Sequence, residues 1–506
     1  MGILGKIIKA AAQLNPNISA DQNDMIEDQK KVLLDLLSDA QNTAFGKFHG
    51  FPEILRKENI YENFKNEVPI HSYEEIKFWW EKQQRFPDIT WRGKPKYFAL
   101  TSGTTGSESK KIPVTNDFSS SMRSVGIALT SELAKFSVPE EIFESEVLML
   151  SSSSDLKKTE QGFFEGEISG INVSNFPDWY DYFYRPGKEI ASLNDWDLRL
   201  KKIVEKAPEW NIGCVAGIPS WVLRMLQAIK KEYNLEYIQD IWPNFRMFVS
   251  GGVAYETYRK DFDDISKNEL IIIDTYLASE GFFAYTADPK KMSMKLATNH
   301  GYFFEFIPFD ERGIDNNGEI RKDPKIFTLD QVNLSDEYVL VVSTNAGAWR
   351  YVIGDTIKFT SLDPFEIKIT GRTKFFLNVF GSQLSEEKLD NAILSCSEKL
   401  NVSINEYMVS AQKRDEDTHL HKWVIVSDEK FNEDNCAEII DDHLKKQNNN
   451  YRVARNKTID QVVVIRVTRN QYDTFIEENS KKGGQVKIQK LMEDEEMEDF
   501  LSFINA

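Results

Sequence analysis

Residues 101–115, TSGTTGSESKKIPVT, concentrate groups that bind anions. Gly103 and Gly106 sit among six hydroxyl side chains between Thr101 and Ser109, and Lys110 and Lys111 follow. Glycine lets successive backbone N–H groups turn toward one anion. Serine and threonine hydroxyls add donors and a lysine adds charge, which together make a phosphate cradle. The stretch does not fit the Walker A pattern: counted from Gly103, the place of that pattern's second glycine holds Glu108. Two readings of the loop remain, a nucleotide site outside the P-loop class or a Ser/Thr/Gly-rich linker.

Further segments carry groups suited to the same chemistry. In Thr275–Gly281, TYLASEG, an apolar strand pattern ends so that Tyr276, Ser279 and Glu280 project at its tip. Tyr276 can stack on a base. Glu280 can share Mg²⁺ with phosphate oxygens, because that ion takes one or two carboxylates plus phosphate; an acidic surface loop is the alternative. Gly354-Asp355 is a turn by default, or a carboxylate for two ribose hydroxyls. Arg372 and Lys374 stand where the composition shifts, as a basic hinge or an ordinary salt-bridged surface.

The elements that must position these groups follow from periodicity. An apolar lead-in, Tyr97–Leu100, precedes the loop, and a helix pattern capped at Asn116 or Asp117 follows it. Strand, loop and helix in that order suit an anion, since the helix N-terminus adds its dipole. Val147–Leu150, Ile212–Val215, Met247–Val249 and Leu270–Ile273 are apolar strands, each running into a Gly/Ser-rich turn or a helix. Pro219 suits a helix start. Such alternation predicts a parallel α/β core with its ligand at the carboxyl ends of the strands. Residues 302–370 carry short strand patterns expected to form an antiparallel sheet or small barrel. From residue 372 a smaller α/β unit of about 135 residues is expected. Residues 20–90 are helical in pattern, and the first seventeen form a short amphipathic helix pattern that reads neither as a signal peptide nor as a myristoylation site.

Composition narrows the function. The chain has 506 residues, 41% of them hydrophobic, so it can build sizeable cores. Its 62 basic and 80 acidic residues leave a net charge of −18, which repels nucleic acid and anionic membrane overall. No apolar run is long enough for a membrane span. Cys214, Cys396 and Cys436 are odd in number and far apart, so neither a disulfide framework nor a cysteine zinc site is expected, and a reducing, cytoplasmic setting is. His419 and His421 share one strand face, where solvent rather than a metal is expected.

In order, the SGTT loop with KIPVT, AGIPSWV (216–222), SGG (250–252), YLASEGFFAY (276–285), YVLVVSTNAGAWRYVIGDTIKFTS (338–361) and GRTKFFLNVFG (371–381) resemble the motifs of adenylate-forming enzymes. Within them, and with TAFGKFHGF (43–51) and VPIHSYE (68–74), the chain most resembles the auxin-responsive acyl-acid amido synthetase family, in its bacterial branch. The resemblance implies a large N-terminal adenylation domain over residues 1–371, with parallel α/β sheets and a small antiparallel barrel, and a mobile α/β domain over 372–506. It implies that Thr101, Ser102, Gly103, Thr104, Thr105 and Lys110 form the phosphate loop, with Thr105 acting in catalysis. Gly251 and Gly252 would bind the nucleotide, and Tyr276 and Ala278 would border the adenine. Ser279 would approach the α-phosphate, Glu280 would hold Mg²⁺, and Asp355 and Arg372 would take the ribose. Lys374 falls at the hinge. In GGQVKIQK (483–490), Lys487 resembles the mobile lysine that stabilises charge on the α-phosphate and acyl carboxylate. The implied activity joins a carboxylic acid to an amine, with an amino acid expected, through an acyl-adenylate made from ATP. A ligase with a thiol acceptor such as coenzyme A, and a non-catalytic adenylate-binding protein, are its rivals. Aromatic Phe163, Phe164 and Trp221 are candidates for the acid pocket.

Overall fold

The computed structural model describes residues 22–505 apart from 102–108, 254, 316–318, 374–383, 405, 415–417, 449–450, 453, 456–458, 480–489 and 493. One eleven-stranded sheet dominates it. At one end Tyr184–Arg185, Glu146–Met149, Ile212–Gly217, Met247–Gly251 and Ile271–Ala278 pair in parallel. Helices Trp196–Lys206, Pro219–Glu232 and Arg259–Ile265 cover this end, and Trp221, Leu226, Ile229, Phe248 and Phe262 pack there. Pro219 opens its helix as expected, where its missing N–H costs nothing.

The other end is antiparallel: Gly281–Tyr285, Met294–Leu296, Phe365–Arg372, Ala348–Leu362, Glu337–Thr344 and Tyr302–Pro308 follow in spatial order. Its strands are hydrogen-bonded directly onto the parallel half through Gly281–Tyr285. The sheet curls strongly here. Ile271–Ala278 and Ala348–Leu362 lie four strand positions apart, about 19 Å if the sheet were flat. Yet the Tyr276 hydroxyl and the Asp355 carboxylate are 2.7 Å apart, so the antiparallel strands close toward the parallel ones as a barrel wall.

Helices between residues 22 and 85 pack against this wall through Leu37, Phe45, Phe51 and Phe64, which meet Phe303 and Trp349. A buried Arg350–Glu305 pair, at 2.9 Å for both contacts, lies beneath them. A small four-stranded sheet holds the phosphate-type loop: Tyr97–Leu100 pairs antiparallel with Lys111–Val114 and parallel with Phe164–Gly166. The helix that follows spans Asn116–Glu132, and its cap is Thr115 rather than Asn116 or Asp117. The Thr115 hydroxyl accepts the Phe118 N–H at 3.0 Å, while Asp117 is occupied by the Trp91 indole and Arg92, both at 2.9 Å.

Residues beyond 383 build a separate three-stranded sheet, Glu406–Lys413, His419–Val426 and Ile459–Val467. Helices Glu386–Leu400 and Glu433–Gln447 pack Leu389, Ile393, Ile440 and Leu444 on one face, and Asp494–Asn505 packs Phe500 on the other. Where the sequence gives no reason for a disulfide, the structure pairs Cys396 with Cys436 across the first two of these helices, their Cα atoms 6.0 Å apart. The pairing joins two helix faces that meet only after folding, so spacing along the chain conceals it. His421 is fully buried, against the expectation of a solvated strand face, because the helices cover that side of the sheet. No cluster of His, Cys, Asp or Glu fit to hold a metal occurs among the described residues. Among them, too, no helix is long and apolar enough to cross a membrane.

Candidate adenylate-forming site

A cavity of about 2170 Å³ opens at the carboxyl ends of the parallel strands, between the large sheet and the C-terminal residues. Ile271–Ala278 supplies most of its floor. Tyr276 is almost fully buried, and its hydroxyl donates to Asp355 Oδ2 at 2.7 Å. Arg372 Nε meets the other oxygen, Oδ1, at 2.9 Å. Asp355 and Arg372 face each other across two antiparallel strands, which fixes this pair by register rather than by loop conformation. Gly354, within the same strand as Asp355, takes φ +95°, a backbone conformation that glycine adopts without strain.

Glu280 lies in the tight turn between Ile271–Ala278 and Gly281–Tyr285 and is buried. Burial and the neighbouring Asp355 charge push its carboxyl above the usual range, while Lys110 and Arg372 pull it down. Its single carboxylate fits a Mg²⁺ ion that takes its remaining ligands from phosphate oxygens and water.

The ends of the phosphate-type loop are fixed by the small sheet. The Thr101 N–H donates to the Lys110 carbonyl at 3.1 Å, and both residues line the cavity. The two lysines separate here: Lys111 is engaged by Glu165 at 2.5 Å, whereas Lys110 sits over the Tyr73 ring at the cavity wall. Gly251, Gly252, Ala278 and Ser279 also line the cavity. Gly251 has no room for a side chain, since a Cβ there would come within 2.8 Å of Thr275 Oγ1, and Gly252 has φ +89°. Ser102, Gly103, Thr104, Thr105, Lys374 and Lys487 lie outside the described residues.

A second lobe is mostly apolar. Leu129, Met149, Ile168, Ile218 and Trp221 line it, with hydroxyls from Ser151 and Ser169. Of the three aromatic candidates, Trp221 is at the cavity. Phe163 instead packs on Phe98 at 4.6 Å and Phe164 on Tyr97 at 5.9 Å. Sequence reasoning missed Asp274, Glu256 and Lys368, which also line the cavity. Strand alternation alone places Asp274 on the face of Tyr276. Lys368 and Glu256, 3.4 Å apart, meet only through the curl of the sheet.

A parallel α/β sheet curling into an antiparallel barrel, with a tyrosine–aspartate–arginine group and the two ends of a Gly/Ser/Thr loop at one cleft, matches the adenylate-forming class of fold. The solved structures agree. An acyl acid amido synthetase, AtGH3.15 in complex with 2,4-DB, matches at TM-score 0.79 and 17% identity, covering 100% of this chain and 96% of that one. A 2-hydroxyisobutyryl-CoA ligase in the postadenylation state matches at TM-score 0.58 and 11% identity, covering 96% and 92%. The chain belongs to the GH3 family: the family's N-terminal domain matches residues 16–201, its central domain 295–372 and its C-terminal domain 387–496. Among curated relatives, indole-3-acetic acid-amido synthetase GH3.8 of Oryza sativa subsp. indica is 27% identical over 186 residues, 34% of this chain and 30% of that protein. Indole-3-acetic acid-amido synthetase GH3.2 of Arabidopsis thaliana is 28% identical over 170 residues, 32% and 30%. The matched part thus spans under a third of each of these two relatives.

Proposed function

We propose that the protein is an ATP-dependent ligase that joins a carboxylic acid to an amine, most simply an amino acid, by way of an acyl-adenylate. The observation that carries this reading is the convergence of Tyr276, Asp355, Arg372 and Glu280 with the ends of the phosphate-type loop on one cavity that also has an apolar lobe. The names of its relatives as amido synthetases support an amine over a thiol as acceptor.

Two steps balance the chemistry. A carboxylate oxygen of the acid attacks the α-phosphorus of ATP, and the bond to the bridging oxygen breaks to release pyrophosphate. The amine nitrogen then attacks the activated carbonyl carbon and loses a proton, while the carbon–oxygen bond to phosphate breaks and AMP leaves. Neither step needs a covalent nucleophile from the protein; both need positioning and charge stabilisation. Asp355 accepts the ribose hydroxyls, Arg372 holds that carboxylate in place, and the loop from Thr101 to Lys110 cradles the phosphates. Glu280 would hold Mg²⁺, which would neutralise charge on the phosphates. The apolar lobe beside Trp221 takes the acid's body. Lys487 stabilises the α-phosphate and acyl oxygens from a C-terminal domain that begins at residue 372 and moves between steps. A bacterial branch within the family and a cytoplasmic location belong to the same proposal.

The test is ATP–pyrophosphate exchange over a panel of carboxylic acids, followed by AMP release with amino acids or with coenzyme A. Acid-dependent exchange with amine-dependent AMP release is expected. Binding of ATP without exchange for any acid would refute catalysis, and AMP release driven only by the thiol would refute the amine acceptor. Exchange that survives Lys487→Ala unchanged would remove Lys487 from the mechanism.

A further inference from the structure

A polar contact between the large sheet and the C-terminal residues is buried on both sides, and the steps above leave it unused. Tyr258 ends the 3₁₀ turn Tyr255–Tyr258, just before the helix Arg259–Ile265. Its ring belongs to the core that Phe248 and Phe262 help to form at the parallel end. Its hydroxyl leaves that core and donates to Glu406 Oε1 at 3.0 Å. Glu406 opens the strand Glu406–Lys413 of the C-terminal body, and both residues are almost fully buried. Burial pushes the Glu406 carboxyl up, against the charges of Arg469 and Lys490 and the bond from Tyr258, which favour the anion.

Other ties between the two bodies are weaker. Lys358 meets Glu387 at 2.5 Å and Lys388 meets Glu337 at 3.8 Å, but solvent reaches both pairs, where ion pairs contribute little. Ser403 reaches Asp261 only at 3.5 Å. A buried carboxylate that loses a donor costs more than such exposed pairs return. The Tyr258–Glu406 contact also fixes what the C-terminal body turns toward the cavity. Met408, two residues after Glu406 on the same strand face, lines it, as do Lys490 and Leu491. The Lys490 carbonyl is held by the Val409 N–H at 2.8 Å. Lys490 ends the stretch GGQVKIQK, three residues after Lys487. This orientation therefore brings the end of that stretch to the cavity, as the first half-reaction requires.

We propose that Tyr258 and Glu406 are positioning residues for adenylate formation. Their buried hydrogen bond holds the C-terminal body on the large sheet for the first step, and it breaks before that body turns for the second. The assignment rests on the two-step reaction and the moving C-terminal domain proposed above. Neither side chain lines the cavity; both act through where the C-terminal body stands. A bond made in one orientation alone shifts the balance between orientations by its whole worth. Weakening it slows the step made in this orientation and spares the step made in the other.

The two steps are measured apart on the full chain with Mg²⁺. ATP–pyrophosphate exchange reads the first, with the acid that exchanges fastest in the panel above. AMP release from that acid's adenylate, prepared chemically and mixed with the most effective acceptor, reads the second. Tyr258→Phe keeps the ring in its core and removes only the hydroxyl. It is expected to lower the exchange kcat by roughly 10- to 100-fold, the worth of one hydrogen bond to a charged group. KM for ATP should stay within about threefold, and AMP release should slow by less than about twofold. Glu406→Gln keeps an acceptor oxygen for the Tyr258 hydroxyl and is expected to exchange within about threefold of the unmodified protein. Equal losses in both steps, exchange unchanged by Tyr258→Phe, or a loss in Glu406→Gln as large as in Tyr258→Phe would overturn the assignment while leaving the reaction intact. An unmodified protein that exchanges with no acid would instead refute the two-step reading, and this assignment with it.

Discussion

Arg350→Met tests how the helices of residues 22–85 are fastened to the barrel wall. Arg350 and Glu305 side chains are 3% and 1% exposed, and the guanidinium reaches both carboxylate oxygens at 2.9 Å. Its remaining nitrogen donates to the carbonyls of Lys65 and Val68, at 2.9 and 2.7 Å. Methionine fills much of the volume but leaves Glu305 buried, with the Tyr61 hydroxyl at 3.1 Å as its remaining side-chain hydrogen bond among the described residues. Removing one partner of such a pair costs about 3–5 kcal/mol, because the other charge stays buried and uncompensated. Unfolding of so large a chain need not be two-state, so the readout is the thermal midpoint, expected to fall by roughly 4–6 °C. Arg350→Met combined with Glu305→Met removes both charges and is expected to recover most of that loss. The reasoning fails if the single variant melts within about 2 °C of the unmodified protein, or if the double variant is less stable than the single one.

Three further outcomes are expected. Asp355→Asn removes the charge between Tyr276 and Arg372, and ATP affinity by calorimetry should fall about 10- to 100-fold. Trp221→Ala opens the apolar lobe away from Asp355; the ranking of acids in the exchange assay should change while the KM for ATP moves less than about threefold. Burial lowers His421 to about 3, and His71 and His300 to about 4. The unfolded chain therefore takes up protons below about pH 6.5 that the folded one refuses, and thermal midpoints should drop as pH falls from 6.5 to 5. His421→Leu should flatten that slope, by about 2 kcal/mol at pH 5; an unchanged slope would mean that this imidazole is not held neutral.

Much of this arrangement was legible along the chain because it depends on local order. Apolar strands ending in Gly/Ser turns, as at Met247–Gly251, announce a parallel sheet, and Pro219 announces a helix start. The motif order from the phosphate-type loop to Asp355 carried the class of site. What stayed hidden depends on contacts made after folding. Thr115 takes the cap because Trp91 and Arg92, twenty-five residues away or so, occupy Asp117. Lys368 meets Glu256 across a curl that no periodicity encodes, and Cys396 meets Cys436 only when two helices stack. Asp274 was within reach of simple strand alternation from Tyr276.

The small four-stranded sheet has a thermodynamic consequence. Ala99, two residues before the phosphate-type loop begins at Thr101, pairs with Gly166, and Glu167, Ile168 and Ser169 directly after it line the cavity at the apolar lobe. The foot of the phosphate cradle and the wall of the acid pocket are thus one hydrogen-bonded body. If the proposed function holds, a ligand that orders either strand would lower the entropy the other must still remove, and acid and nucleotide would favour each other's binding by the same factor in both directions.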